Sequence, residues 1–371
     1  YKIRPLIVLL KQKFLEHFYP GQNISIDEAM CAFTGRLGFR QYMPAKPVKY
    51  GIKFWLASMP TLGYTVNFDV YTGKGDPIPN GLGYHVVMSL SAPFHMRNHH
   101  LYFDNFFNGM QLLIDLLAIN TYGNGTFRTN RKGFPGVMKK LKLKKHEHRM
   151  VESDVIADPD ERITVCAWMD RGKKPVIVAS TGSESTVATT HRRNGRQRLE
   201  VPCPKPVTDY NAFMNGVDVA DQLRSYYPIG RKSRKWWHYP FFFMINMLLV
   251  NAFILYKIAH SPVPKNFMKL VDFKIKAVKQ LTAGYTGYKR KSSEYDNQHF
   301  DQMDVENLPG HVCVRIKGRK KACNWCKRQN RRTLKGYKKE TQYGCELCGV
   351  HLCRDMCFPA FHADACGILE D

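Results

Sequence analysis

The chain has 371 residues, 44% of them hydrophobic, a formal net charge of +25 and an isoelectric point of about 9.6. That much apolar content buries a sizeable core and excludes a disordered chain, and the length admits two or three domains. The excess of 56 Lys and Arg over 31 Asp and Glu calls for a polyanionic partner, which nucleic acid fits better than a membrane surface.

Residues 1 to 35 read as helical, ending at "ISIDEAM", where Ser25 or Asp27 would cap a short turn. The opening "YKIRPLIVLLKQKF" has no Met and no signal-like succession, so it reads as part of a longer, unsecreted chain. Three strand-like runs follow, "GRLGFRQYM", "YGIKFWLAS" and "GYTVNFDVYTG", each bounded by Gly or Pro. "YHVVMSLSAPF" reads as a helix, "HHLYF" as a strand, and "NFFNGMQLLIDLLAIN" as an amphipathic helix with apolar residues three and four apart. This order predicts a mixed sheet with helices packed on it.

Between Arg128 and Arg149 lies a basic run broken by "GFPG", either a solvated face or a phosphate contact. "ITVCAWMDRGKKPVIVAST" alternates like a hairpin turning at "DRGKK". Helix returns at "NAFMNGVDVADQLRSYY" and again at "FMKLVDFKIKAVKQLTA". Between them, "PFFFMINMLLVNAFILY" from Pro240 to Tyr256 approaches the length of a membrane span. Asn246 and Asn251 interrupt it and Arg234, Lys235, Trp236, Trp237 and His238 precede it, so a buried core helix is the expectation. Residues 284 to 310 are polar and without period, which predicts a linker.

Two features carry chemistry. Asp104, in "HHLYFDNFF", either caps the following helix or sits at a sheet edge where a metal could be held; Asp218 and Asp221 share one helical face, solvated or bridged by a divalent cation, with no obvious neutralising cation at helical spacing. At the other end, Cys323 and Cys326, Cys345 and Cys348, then Cys353, Cys357 and His362 make seven ligands at zinc-like spacing. Two tetrahedral sites need an eighth, and His311, Cys313 and Cys366 are the candidates. Arg319, Lys320, Lys321, Lys327, Arg328, Arg331, Arg332, Lys335, Lys338 and Lys339 crowd the first pair and its loop, a composition suited to phosphate contact.

Taken in order, "SIDEAM", "GRLGFRQYMPAKPVKYGIK", "NFDVYTGKG", "LYFDNFF", "FMNGVDVADQL", "GRKSRKWWHYPFFFMIN" and the terminal cysteines resemble the piggyBac transposase family over nearly the whole chain. The resemblance implies an α/β ribonuclease-H-like mixed sheet flanked by helices, with a β-rich insertion and a two-zinc C-terminal cross-brace. The expected divisions are 1–127 and 208–283 for the core, 128–207 for the insertion, 284–310 for the linker and 311–366 for the zinc module. It implies Mg²⁺ held by acidic residues for in-line displacement at phosphorus, with Asp104 the second catalytic Asp and Asp218 and Asp221 the third and its neighbour. It also implies double-stranded DNA as partner, insertion at TTAA, action as a dimer, and a nuclear location. Trp236 matches a Trp that accompanies the family active site, whereas its plainer role is to anchor the long helix.

By the same resemblance the family's first catalytic Asp is expected on the strand starting "YGIK", and counting from Gly51 and back from Tyr64 lands on Met59. A thioether is a poor ligand for Mg²⁺, Pro60 follows it, Asp69 is too far along, and Ser58 offers only a neutral oxygen. The expectation is a DNA-binding protein of transposase architecture with a degenerate site. An active transposase and a chromatin adaptor working through the zinc module are the alternatives. At the zinc end Met356 stands where one family variant has His, which leaves the ligand pairing open.

Overall fold

The computed structural model describes residues 2–154, 162–172, 174–194, 197–282, 311–334, 336–354 and 356–365, so the expected linker lies outside the described residues. The chain divides into two compact units, 1–284 and 285–371.

In the first unit the elements in chain order are α1 Arg4–His17, β1 Asn23–Ala32, β2 Gln41–Tyr42, β3 Tyr50–Ser58, β4 Thr65–Val70, α2 Leu82–Ser91, β5 His99–Phe103, α3 Met110–Leu117 and β6 Thr121–Thr126. There follow β7 His148–Asp154, β8 Arg162–Trp168, β9 Val176–Ser180, β10 Val187–Asn194, β11 Gln197–Pro204, α4 Lys205–Phe213, α5 Gly216–Ser225, α6 His238–Ala259 and α7 Leu270–Leu281.

Nine strands form one mixed sheet, in the order β2-β3-β1-β5-β6-β9-β8-β7, with β4 also paired to β3. The pairs β1–β5 and β5–β6 are parallel and the others antiparallel. The stretch expected as a separate β-rich insertion therefore gives three strands to the main sheet, while β10 and β11 pair as a ribbon of their own.

The expectation of helix up to "ISIDEAM" is corrected: α1 ends at His17 and residues 23–32 are a strand. Ile24 and Ile26 are fully buried, and β-branched residues at alternate positions favour the pleated backbone over a helical turn. Of "GRLGFRQYM" only Gln41 and Tyr42 are strand. The helix expected from Asn105 starts at Met110, because Asp104 organises a turn first: its Oδ1 accepts from the Phe106 N–H at 2.8 Å and its carbonyl from Phe107 and Asn108 at 3.2 Å.

The core lies between the sheet and its helices. Leu112, Leu113, Leu116 and Leu117 of α3, Val87 and Leu90 of α2, and Leu10 and Phe14 of α1 are buried with Ile24, Ile26, Leu101 and Phe103 of the sheet. The long apolar α6 packs there too, its Phe243 stacked on Phe54 of β3 at 4.3 Å between ring centroids. Its two asparagines are tethers: Asn251 bonds both the N–H and the carbonyl of Thr65 at 3.0 and 2.8 Å, and Asn246 bonds both backbone groups of Ile229. Burying these amides without partners would cost a few kcal/mol each, roughly 1–3. By length and composition α6 could cross a membrane, yet in this fold it contacts β1, α1, α5 and α7.

The second unit contains β12 Cys313–Arg315, β13 Lys321–Ala322, α8 Asn324–Arg328, β14 Glu340–Thr341, β15 Tyr343–Cys345, β16 Val350–His351 and α9 Cys357–Ala365. Its strands form a small β12-β15-β16 sheet and a β13-β14 pair, and its buried cluster is made mostly of cysteine and phenylalanine. So little apolar surface is consistent with metal taking the place of a core.

Candidate carboxylate cluster and metal centre

The parallel register of β1 and β5 pairs Ile26 with Phe103, so the next residue on each strand, Asp27 and Asp104, are neighbours. Both follow buried positions and stand on the face opposite Ile26 and Phe103. Helix α5 is docked over that face: the Val217 N–H donates to Ser25 Oγ at 3.2 Å, which brings the helix turn carrying Asp218 to β1. The approach needs glycine at 216, where a Cβ would meet Ser25 Oγ at 2.6 Å and the Met59 carbonyl carbon at 2.9 Å.

The loop between β2 and β3 adds a cation. Lys46 Nζ donates to Asp27 Oδ2 and to the Glu28 carbonyl, both at 3.1 Å, and lies 3.7 Å from Glu28 Oε1. Burial raises the Glu28 carboxyl to about 7, helped by Asp27 and opposed by Lys46. Burial also raises Asp104, against its bond from the Phe106 N–H and with Asp27 adding repulsion. For Lys46, burial acts downward, but Asp27, Glu28 and Asp218 outweigh it and its pKa rises. Tyr210 of α4 faces the same acids; burial pushes its hydroxyl up to about 12, with Asp104, Asp27 and Asp218 adding to the rise.

Asp221 sits differently. Arg224, three residues on, lies 2.7 Å from its Oδ1 and stacks 3.8 Å from the Phe243 ring centroid, which corrects the expectation that no cation stood at helical spacing. Burial still raises the Asp221 carboxyl, with Arg224 opposing.

Met59 follows the end of β3, and β1 separates β3 from β5. On the sheet the neighbour of Asp104 is therefore Asp27 and not Met59, which stands where the first acid is expected. Met59 is half-buried against the core, its Cε 3.5 Å from where a Gly21 side chain would begin. Its backbone closes a turn with Gly63 and Tyr64. Asp69 is exposed on β4 and accepts a bond from the Val70 N–H. Trp236 packs edge-on to Phe39 at 5.5 Å, as an anchor of α6 would.

In the second unit two sets of four side chains converge, His311, Cys345, Cys348 and His362, and Cys323, Cys326, Cys353 and Cys357, each with ligand atoms within 4.8 Å of one another. His311 Nδ1 is 3.4 Å from Cys345 Sγ and 3.3 Å from Cys348 Sγ, while Cys326 Sγ is 3.4 Å from Cys357 Sγ. Donors held by one tetrahedral Zn²⁺ sit roughly 3.3–3.8 Å apart, so these sets fit that ion. The pairs interleave along the chain, as in a cross-brace, and His311 rather than Cys313 takes the eighth place; Cys366 lies outside the described residues. His362 is fully buried and its Nδ1 is 2.7 Å from the Phe358 carbonyl, which leaves Nε2 for the metal. Burial and the neighbouring sulfurs push the Cys353 and Cys357 thiols up, a repulsion that a dication would relieve.

Among the described residues these two sets are the groups so tightly drawn; the core carboxylates are not gathered within 4.8 Å. Their hard, mutually repelling oxygens nevertheless suit a divalent cation.

The "Transposase IS4" family description matches residues 1–253, more than half of the chain, and "DDE_Tnp_1-like zinc finger" matches residues 306–363. The chain belongs to the piggyBac transposase family. PiggyBac transposable element-derived protein 3 of Homo sapiens is 28% identical over 376 aligned positions, covering 98% of this chain and 59% of that protein. Derived protein 2 of Homo sapiens is 28% identical over 270 positions, covering 69% and 44%. This piggyBac chain thus spans less than two thirds of the length of the curated relatives it matches. A cryo-EM structure of a piggyBac transposase synaptic complex with hairpin DNA shares the fold, with a TM-score of 0.66 and 23% identity over 96% of this chain and 73% of that one.

Proposed function

We propose that this chain is a DDE-type DNA strand-transfer enzyme whose three carboxylates are Asp27, Asp104 and Asp218, and that its zinc module grips duplex DNA. The carrying observation is the β1–β5 register, which sets Asp27 beside Asp104 on a rigid sheet and leaves Met59 out of the cluster. Asp27 supplies the carboxylate that the count along the chain finds missing, so Met59 is no reason to read the site as degenerate.

Asp27, Asp104 and Asp218 would hold Mg²⁺, which when bound activates the attacking oxygen and stabilises the leaving one in displacement at phosphorus. The protein's own part is orientation. The turn hydrogen bonds fix Asp104, the Ser25 contact fixes α5, and the Arg224 pair holds Asp221 as a support of the helix rather than as a ligand. In the zinc module the basic side chains Arg319, Lys320, Lys321, Lys327, Arg328, Arg331 and Arg332 supply sequence-independent phosphate contact. A nuclear setting, a dimer and insertion at TTAA belong to the same reading.

The test is Mg²⁺-dependent nicking and joining of a supercoiled plasmid by 3′-OH duplex oligonucleotides. Activity in the wild type that disappears in Asp104→Asn and in Asp27→Asn supports the reading. A wild type that binds DNA and zinc without any Mg²⁺-dependent product refutes it in favour of a DNA-binding protein without chemistry.

A further inference from the structure

The cation nearest the cluster is the protein's own. Lys46 is carried by a loop that is built to aim it: Met43 N–H bonds the Lys49 carbonyl at 2.8 Å, Lys46 N–H bonds the Met43 carbonyl at 3.2 Å, and Pro44 and Pro47 flank the lysine. From there the side chain reaches across to β1, where its ammonium makes the 3.1 Å bonds to Asp27 Oδ2 and the Glu28 carbonyl. Side-chain exposures of 22% for Lys46, 23% for Asp27 and 12% for Glu28 make this a partly desolvated pair, not a solvent-screened surface contact.

We propose that Lys46 is a resident counter-ion of the carboxylate cluster, which holds Asp27 in competition with a divalent cation and has to release that carboxylate before the cation can take it. This rests on the reading of Asp27 as a ligand. The physical basis is simple. Asp27, Glu28 and Asp104 repel one another where water is scarce, and a folded state that contains them needs a compensating charge. An ammonium supplies one positive charge through three rotatable donors on a flexible stem, so it can neutralise the acids and still be displaced. A guanidinium locked bidentately would be harder to remove. Lys46 thereby lets these central strands fold without metal and sets the cation concentration at which the site fills.

Lys53 gives the internal control. It also lies among these acids, but its ammonium sits over the Trp55 ring at 4.5 Å, and burial lowers its pKa while Glu28 and Asp27 raise it. Removing it changes the local field while the Lys46 bond to Asp27 stays in place.

The experiment is calorimetric titration of Mg²⁺ into the zinc-loaded chain for the wild type, Lys46→Met, Lys46→Arg, Lys53→Met, Asp104→Asn and Lys46→Met/Asp104→Asn, with thermal unfolding of each in zero and saturating Mg²⁺. Lys46→Met is expected to bind Mg²⁺ about tenfold more tightly than the wild type, the scale of one charge-assisted hydrogen bond removed from competition. Its melting temperature falls in Mg²⁺-free buffer and recovers on adding Mg²⁺; Lys46→Arg stays at or below wild-type affinity; and Lys53→Met shifts affinity clearly less. Loss of the gain in the double variant places the bound ion at the cluster. Equal or weaker binding in Lys46→Met, or an equal gain in Lys53→Met, while Asp104→Asn still abolishes binding, overturns the inference and leaves the site reading standing. Mg²⁺ binding that no variant alters overturns both.

Discussion

Glu28→Gln tests the electrostatics of the cluster directly. Glu28 is 12% exposed at its side chain, and its pKa rises to about 7 from 4.5 chiefly through burial. A carboxyl whose folded pKa is raised contributes fully below about 4.5 and loses that contribution as the pH climbs to 7, because the native state then binds the proton that the unfolded state has released. Two and a half units at roughly 1.36 kcal/mol each make the loss up to about 3 kcal/mol at pH 8. Glutamine keeps the shape without the charge. The variant is expected to be more stable than the wild type by up to about 3 kcal/mol at pH 8 and to match it near pH 4.5. In a unit of this size that is roughly 5–10 °C in melting temperature. The assay is thermal unfolding in Mg²⁺-free buffer at half-unit intervals from pH 4.5 to 8. Asp104 and Asp221 have raised pKa values of the same sign, so the difference between the two proteins, not the slope of either, isolates Glu28. A variant no more stable than the wild type at pH 8, or a gap that does not change with pH, refutes the reasoning.

Arg224→Ala removes the cation beside the half-buried Asp221 and is expected to cost about 1–3 kcal/mol by urea denaturation, whereas removing both charges together costs less. Metal analysis of the purified chain is expected to give two zinc ions per molecule, one in His362→Ala and two still in Cys313→Ser, and chelation should unfold the second unit while the first keeps its transition. Replacing Arg331 and Arg332 by alanine should flatten the dependence of log K on log salt for duplex DNA by about 0.9 for each phosphate left unneutralised. An unchanged slope would assign those residues another role.

The zinc module is the most legible part of the sequence because its ligands lie close along the chain: "CNWC" and "CELC" announce themselves, and only the choice among His311, Cys313 and Cys366 needs three dimensions. Long apolar α6 and the β8–β9 hairpin are equally plain. The acids are less so. Asp104 and Asp218 emerge through a family likeness, but Asp27 reads as a helix cap as long as the preceding helix is carried too far. The alternating Ile24 and Ile26 are the available sign of a strand. That Asp27 and Asp104 are neighbours follows from a parallel pairing across 77 residues, which no local spacing encodes. Lys46 comes from a loop whose reach over β3 is set by sheet order, and the strand "TYGNGT" is glycine-rich because β6 is crowded: a side chain at Gly125 would meet the Phe103 carbonyl at 2.3 Å. The pairing of Arg224 with Asp221 is available from helical spacing alone.

The most direct test of the central claim, that Asp27 and not Met59 occupies the first carboxylate position, is Mg²⁺ affinity measured side by side in the wild type, Asp27→Asn and Met59→Asp. The account predicts that Asp27→Asn loses binding while Met59→Asp leaves it unchanged. Binding that survives Asp27→Asn and tightens in Met59→Asp would contradict it.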